Sequence, residues 1–133
     1  MMREILFRAK RYSGEWVYGY YVHQFGAHQI LSRDGDEYQH ESYHINSETV
    51  GQYTGLTDKN GNKIFEGDIV KTSEIIPAYG TDTFTIEFAE GNFYICNTGT
   101  IATLRSWAET VKVIGNVHDN SELIGGENNV EVH

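Results

Sequence analysis

The chain has 133 residues and a mass of 15.1 kDa, room for one compact domain or two very small ones. Lys and Arg total 10 against 19 for Asp and Glu, a formal charge of −9. That balance excludes a protein that grips a nucleic-acid duplex by neutralising many phosphates along its surface. Seventeen aromatic residues (Tyr 9, Phe 6, Trp 2) in a chain that is 39% apolar exclude an acidic disordered polymer, which lacks such groups.

In chain order, the first element is a strand. Ile5, Phe7 and Ala9 alternate with Glu4, Leu6, Arg8 and Lys10, the pattern of a strand buried on one face. Trp16, Tyr18, Tyr20 and Val22 alternate with Val17, Gly19 and Tyr21, a second strand with bulky groups on both sides. Gln24-Phe25-Gly26-Ala27 reads as a turn, and Ser32-Arg33-Asp34-Gly35-Asp36-Glu37 as another, with Asp34-Gly35 its hairpin signal. Ser47-Glu48-Thr49-Val50 is a very short helical candidate. Thr57-Asp58-Lys59-Asn60-Gly61-Asn62-Lys63 is a turn with Asn60-Gly61 at its tip, both residues tolerating positive φ.

Glu66-Gly67-Asp68 leads into a strand opened by Ile69-Val70, and the only proline, Pro77, marks a loop. Phe84, Ile86 and Phe88 alternate cleanly with Thr83, Thr85 and Glu87, and Ala89-Glu90-Gly91-Asn92 turns the chain into Phe93-Tyr94-Ile95-Cys96, with Gly-Asn as the turn chemistry. Ile101, Leu104 and Ala108 share one face of a short helix expected over 101–109, with Thr100 as its cap. Val111-Lys112-Val113-Ile114-Gly115-Asn116-Val117 is a last strand, with a bulge or bend at Gly115. From Ser121 the tail has little to bury. The dominant period is two and helix is scarce, so the class is mainly β, with short antiparallel strands compatible with a small barrel. A join between two lobes falls near residues 46–55.

The single cysteine, Cys96, has no internal disulfide partner, so the fold owes nothing to an oxidising compartment. The N-terminus is charged too early for a signal peptide, and no apolar run approaches the ~20 residues that span a bilayer. A cytoplasmic protein with no membrane contact follows. Residues 1–11 carry a net charge of +3 and the remainder −12; the basic strand reads as an ordinary solvated face.

Candidate chemistry is sparse. His23, His28, His40 and His44 lie within 22 residues of chain, which raises a metal-dependent enzyme as one reading. On a strand, though, His40 and His44 stand ~13 Å apart, and hydrogen-bonding histidines account for the set. Glu66 and Asp68 flank a glycine as turn-capping acids do, rather than as a general acid and base. Cys96 has no basic neighbour in sequence to activate it and reads as a buried thiol. There is no phosphate-binding glycine loop, and no catalytic residue, cofactor or metal is assigned. The remaining candidate is aromatic: Arg8, Trp16, Tyr18, Tyr20 and Tyr21 form an expected interaction surface. With Arg3 and Lys10 that surface also suits a single-stranded nucleic acid.

Two stretches are more distinctive. Glu48-Thr49-Val50-Gly51-Gln52-Tyr53-Thr54-Gly55-Leu56-Thr57-Asp58-Lys59-Asn60-Gly61-Asn62-Lys63-Ile64-Phe65-Glu66-Gly67-Asp68-Ile69-Val70 closely resembles the signature of the YopX family. Val113-Ile114-Gly115-Asn116-Val117-His118-Asp119-Asn120-Ser121-Glu122-Leu123 is similar to its late motif. Arg3-Glu4-Ile5-Leu6-Phe7-Arg8-Ala9 and Gly14-Glu15-Trp16-Val17-Tyr18-Gly19-Tyr20 are similar to its N-terminal pattern. The resemblance implies a phage or prophage protein without an established activity, built as an SH3-like barrel. It further implies one YopX-like domain over 1–133, expected as an N-terminal β lobe (1–50) on an SH3-like barrel (51–124) with a flexible tail (125–133). The segment from His23 to His44 matches no motif. The expectation is a non-enzymatic protein-interaction or self-assembly module in the host bacterial cytoplasm. A homo-oligomer or a protein partner is expected, since a small chain with so many rings has limited core to hide them in.

Overall fold

A computed structural model describes residues 3–32, 41–72 and 82–124. The turn expected over residues 32–37, His40, the Pro77 loop and the tail from residue 125 lie wholly or largely outside those residues. The chain divides into two compact units, Met1–Gly55 and Leu56–His133. Both are antiparallel β structures, as the two-residue period requires.

The first unit comprises β1 (Phe7–Lys10), β2 (Trp16–Gln24), β3 (Ala27–Ser32), β4 (Ser42–His44) and the start of β5 (Gly51–Thr57), in the order β4-β3-β2-β1-β5. Register sets its two faces, because cross-strand partners point the same way. Ala9 faces Val17, Tyr21 faces Ile30, and Ile30 faces Tyr43. These residues, with Ile45, Phe7 and Val50, make the core of the unit. Gly19 is required where it lies: a Cβ there would run into the Leu31 carbonyl on β3. The first strand departs from the expected one-sided pattern. Ile5 is 47% exposed, whereas Leu6 and Arg8 on the opposite face are buried.

Ser47–Thr49 form one 3-10 turn, with the Asn46 side chain accepting from Glu48 N–H at 3.1 Å. Thr49 fixes this turn to β1, its Oγ1 accepting from Lys10 N–H at 2.8 Å and donating to the Asn46 carbonyl at 2.7 Å.

In the second unit β6 (Lys63–Phe65) neighbours the end of β5. The sheet proper runs β10-β9-β8-β7-β11, from β7 (Asp68–Lys71), β8 (Thr83–Ala89), β9 (Asn92–Asn97), β10 (Thr100–Thr103) and β11 (Lys112–Asn116). Among the described residues this order leaves β10 and β11 as open edges, and the barrel expected from the sequence is not closed. Phe84, Ile86 and Ile95 are fully buried with Ile64, Val70, Leu104 and Val111. Each such side chain contributes about 1.5–3 kcal/mol of burial.

The helix expected over 101–109 is α1 (Leu104–Trp107), followed by a 3-10 turn at Ala108–Thr110. Residues 100–103 are instead strand β10, with Ile101 opposite Cys96 and 74% exposed. Pairing with β9 outweighs the weak helix propensity of the threonine-rich stretch. The bulge at Gly115 is present, with the register against β7 shifting between Val113 and Gly115. No helix among the described residues is long and apolar enough to cross a membrane.

The turn after β5 is organised by one carboxylate. Asp58, only 4% exposed, accepts through Oδ1 from the N–H groups of Asn60 and Asn62 at 2.9 Å each. Its Oδ2 accepts from Val113 N–H at 2.9 Å, and so holds β11 to the turn. Of the tip residues only Gly61 takes positive φ, at +85°, where the sequence suggested Asn60 as well; Asp58 supplies the constraint a second positive φ would have given. Burial raises the pKa of this carboxyl, but backbone N–H donors from Val113, Asn62 and Asn60 outweigh burial and hold it below its usual range.

Replacing Asp58 by Ala removes the acceptor of three part-buried N–H groups, two of them on exposed asparagines that water can reach, and urea titration should show a loss of about 1–3 kcal/mol. The depressed pKa makes this stabilisation complete above the unfolded value of about 3.9, and it is lost as pH falls through the folded value. Asp58→Asn should therefore flatten the acid limb of stability against pH.

Candidate interaction surface

The first unit places four of the five aromatic and basic candidates together. Arg8 lies opposite Tyr18 and Lys10 opposite Trp16, so Arg8, Lys10, Trp16, Tyr18 and Tyr20 share the face turned away from the unit's core. Tyr18 and Tyr20 are 44% and 49% exposed. Tyr21 is the exception, because alternation along β2 turns it to the core side. There it packs on Phe7 with ring centroids 6.1 Å apart. Its hydroxyl is 2.6 Å from His28 Nδ1. The four β2 candidates lie within six residues of chain, but period two splits Tyr21 from Trp16, Tyr18 and Tyr20.

Trp16 does not present an open ring on its cation side. The Arg8 guanidinium sits 4.8 Å from its centroid and Lys10 Nζ 5.9 Å. Such contacts contribute about 0.5–2 kcal/mol, most where the cation is desolvated, and Arg8 is 7% exposed. A cation so placed is a poor phosphate contact.

The histidines divide as well. His23 and His28 are cross-strand partners with rings stacked 3.9 Å apart. His44 lies on the other face of the sheet, its Nε2 3.3 Å from Gln29 Nε2. His40 is outside the described residues. Among the described residues no three His, Cys, Asp or Glu side chains converge as a metal ion requires. In the second unit, Glu66-Gly67-Asp68 is a structural turn: Gly67 has φ +92° and Asp68 accepts from Phe65 N–H at 2.7 Å. Cys96 is half-buried rather than fully buried, and burial followed by the Glu87 charge raises its pKa.

Two features of the first unit escaped the sequence reading. One is a cleft of about 290 Å³ lined by Arg11, Tyr12, Ser13, Ser42, Tyr43 and His44. Arg11 lies 4.8 Å over the Tyr43 ring and pairs with Glu15 at 2.8 Å. The Tyr43 hydroxyl donates to Glu41 at 2.9 Å. The other is Phe25, at the tip of the β2–β3 hairpin, 98% exposed with φ +53°. The one signal in the sequence was a phenylalanine before glycine in an expected turn, where Asn or Asp is usual.

This is a protein of two small antiparallel β units, with an aromatic surface on the first. The YopX protein family model matches residues 6–125, and the chain belongs to that family. Among solved structures it is similar to protein EF1440 from Enterococcus faecalis, at 27% identity. That likeness covers 92% of this chain and 99% of that one, with a TM-score of 0.59. No curated protein matches.

The Tyr43 phenol should ionise above its ordinary value of about 10. The Glu41 hydrogen bond is the main cause, helped by burial and by the Glu41 and Glu15 charges, and opposed by Arg11. A titration followed by ¹³C NMR of labelled tyrosines should show the Tyr43 resonance ionising above that value, and Glu41→Gln should lower its midpoint.

Proposed function

We propose that this chain is a non-enzymatic interaction module that self-associates, an accessory protein of the kind phages and prophages carry and one that works in the bacterial cytoplasm. On the same reading its second unit is an SH3-like half, with β7–β11 as an opened barrel. The observation that carries the proposal is the half-exposed pair Tyr18 and Tyr20, held on a strand paired on both sides, on the face opposite the core. Tyrosine offers large contact area at low entropic cost and keeps a polar tip, which is why it recurs at protein interfaces. Single-stranded nucleic acid is less well supported, because the basic partner Arg8 is buried against Trp16.

Multi-angle light scattering of the full chain should give a mass above 15.1 kDa, and Tyr18→Ser with Tyr20→Ser should weaken association at least tenfold without changing the circular dichroism spectrum. A monomer at about 100 µM overturns self-association. Tight binding of single-stranded DNA near 50 mM salt, where electrostatic affinity is largest, overturns it in favour of nucleic acid.

A further inference from the structure

The β2–β3 turn carries a cost that folding does not recover. Gln24 pairs with Ala27, leaving Phe25 and Gly26 as the two loop residues, with φ of +53° and +79°. Such turns favour Asn or Asp before the glycine, because a short polar side chain tolerates the left-handed region. The β8–β9 turn repeats the geometry with Glu90 at +51° and Gly91 at +81°. Glu90 at least places a solvated charge in water. Phe25 places a whole ring there, in the backbone region least suited to it.

The same unit holds a cavity of matching kind. The cleft of about 290 Å³ lies where the β1–β2 turn meets β4, and it is small for a drug-sized ligand but roomy for one benzyl group. Its walls include Tyr43 beneath the Arg11 guanidinium, and Tyr12, itself 80% exposed. Aromatic edges and a cation are what a phenyl ring packs against best. The uncharged loop residues bring no charge to face Arg11, Glu15 or Glu41.

We propose that Phe25 of one copy of this chain inserts into the Arg11–Tyr12–Tyr43 cleft of a second copy. This deepens the self-association reading and rests on it. Knob and cleft are different patches, so a reciprocal pair of insertions about a two-fold axis closes a dimer, and one-way insertion builds a chain of copies.

Phe25→Asn removes the knob and supplies the residue the turn prefers. It should raise the Tm by about 2–5 °C while weakening self-association at least tenfold, as read by sedimentation velocity. Phe25→Asp serves as a second knobless variant. Ser13→Trp, on the exposed β1–β2 turn, fills the cleft and should weaken self-association alike while leaving the circular dichroism spectrum unchanged. Mixing Phe25→Asn with Ser13→Trp pairs an intact cleft with an intact knob and should restore a 1:1 complex. A knobless chain that associates like the wild type, or a mixture that stays monomeric, overturns the insertion while self-association by another surface stands. A wild-type chain that is itself monomeric overturns both.

Discussion

The second unit depends on the Asp58 carboxylate. It takes two N–H groups from its own turn and a third from Val113, 55 residues further along the chain. A local turn and a long-range strand pairing are thereby fixed by one side chain. Val113 N–H finds its acceptor in that carboxylate just before the bulge at Gly115. With Asp58 in place, Lys59 N–H reaches the Val111 carbonyl at 3.0 Å, and Val111 enters the core beside Leu104 and Ile64. The buried charge is tolerable because its acceptor sites meet fixed donors.

The same structural use runs through the most distinctive stretch of sequence. Asp58, Asn60, Gly61, Asn62, Gly67 and Asp68 each hold a turn, a cap or a strand end, and Ile64 and Phe65 are buried. The late motif behaves the same way. Asn120 Oδ1 accepts from Asn116 N–H, and the Asn116 side chain in turn accepts from the N–H groups of His118 and Asp119. Family signatures here record what folding requires.

Legibility followed periodicity. Phe84, Ile86 and Ile95 declared their burial because alternation survives in a sheet covered on one side. It failed at β1, where Arg8 is buried with its guanidinium 4.8 Å from the Trp16 ring centroid, a contact between residues eight apart in sequence that no single-strand pattern contains. It failed at residues 100–103, where pairing with β9 decides the conformation. Tyr20 and Tyr21 lie on opposite faces of β2, the split that alternation along the strand implies and that grouping them as one surface ignored. The cleft was invisible because its residues come from two separated stretches, 11–13 and 42–44.

The two units thus handle aromatic residues differently. In the second, Phe84 is fully buried and Phe93 packs partly against the core, and Phe88, its tilted neighbour at 5.1 Å, is the one ring among the described residues left exposed, at 51%. In the first, the core is small, built on Ala9, Val17, Ile30 and Ile45, and much of the aromatic surface has nowhere to go within it. Tyr12, Tyr18, Tyr20 and Phe25 remain at 44% exposure or more. A side chain shed by a small core is normally replaced by a polar one, because water-exposed rings invite non-specific association. A ring kept at positive φ on a hairpin tip goes further, since a polar residue there would improve both solubility and turn geometry. The cost is therefore concentrated in the unit that also holds the cleft. That is the distribution expected when surface, rather than core, is what the first unit contributes to function.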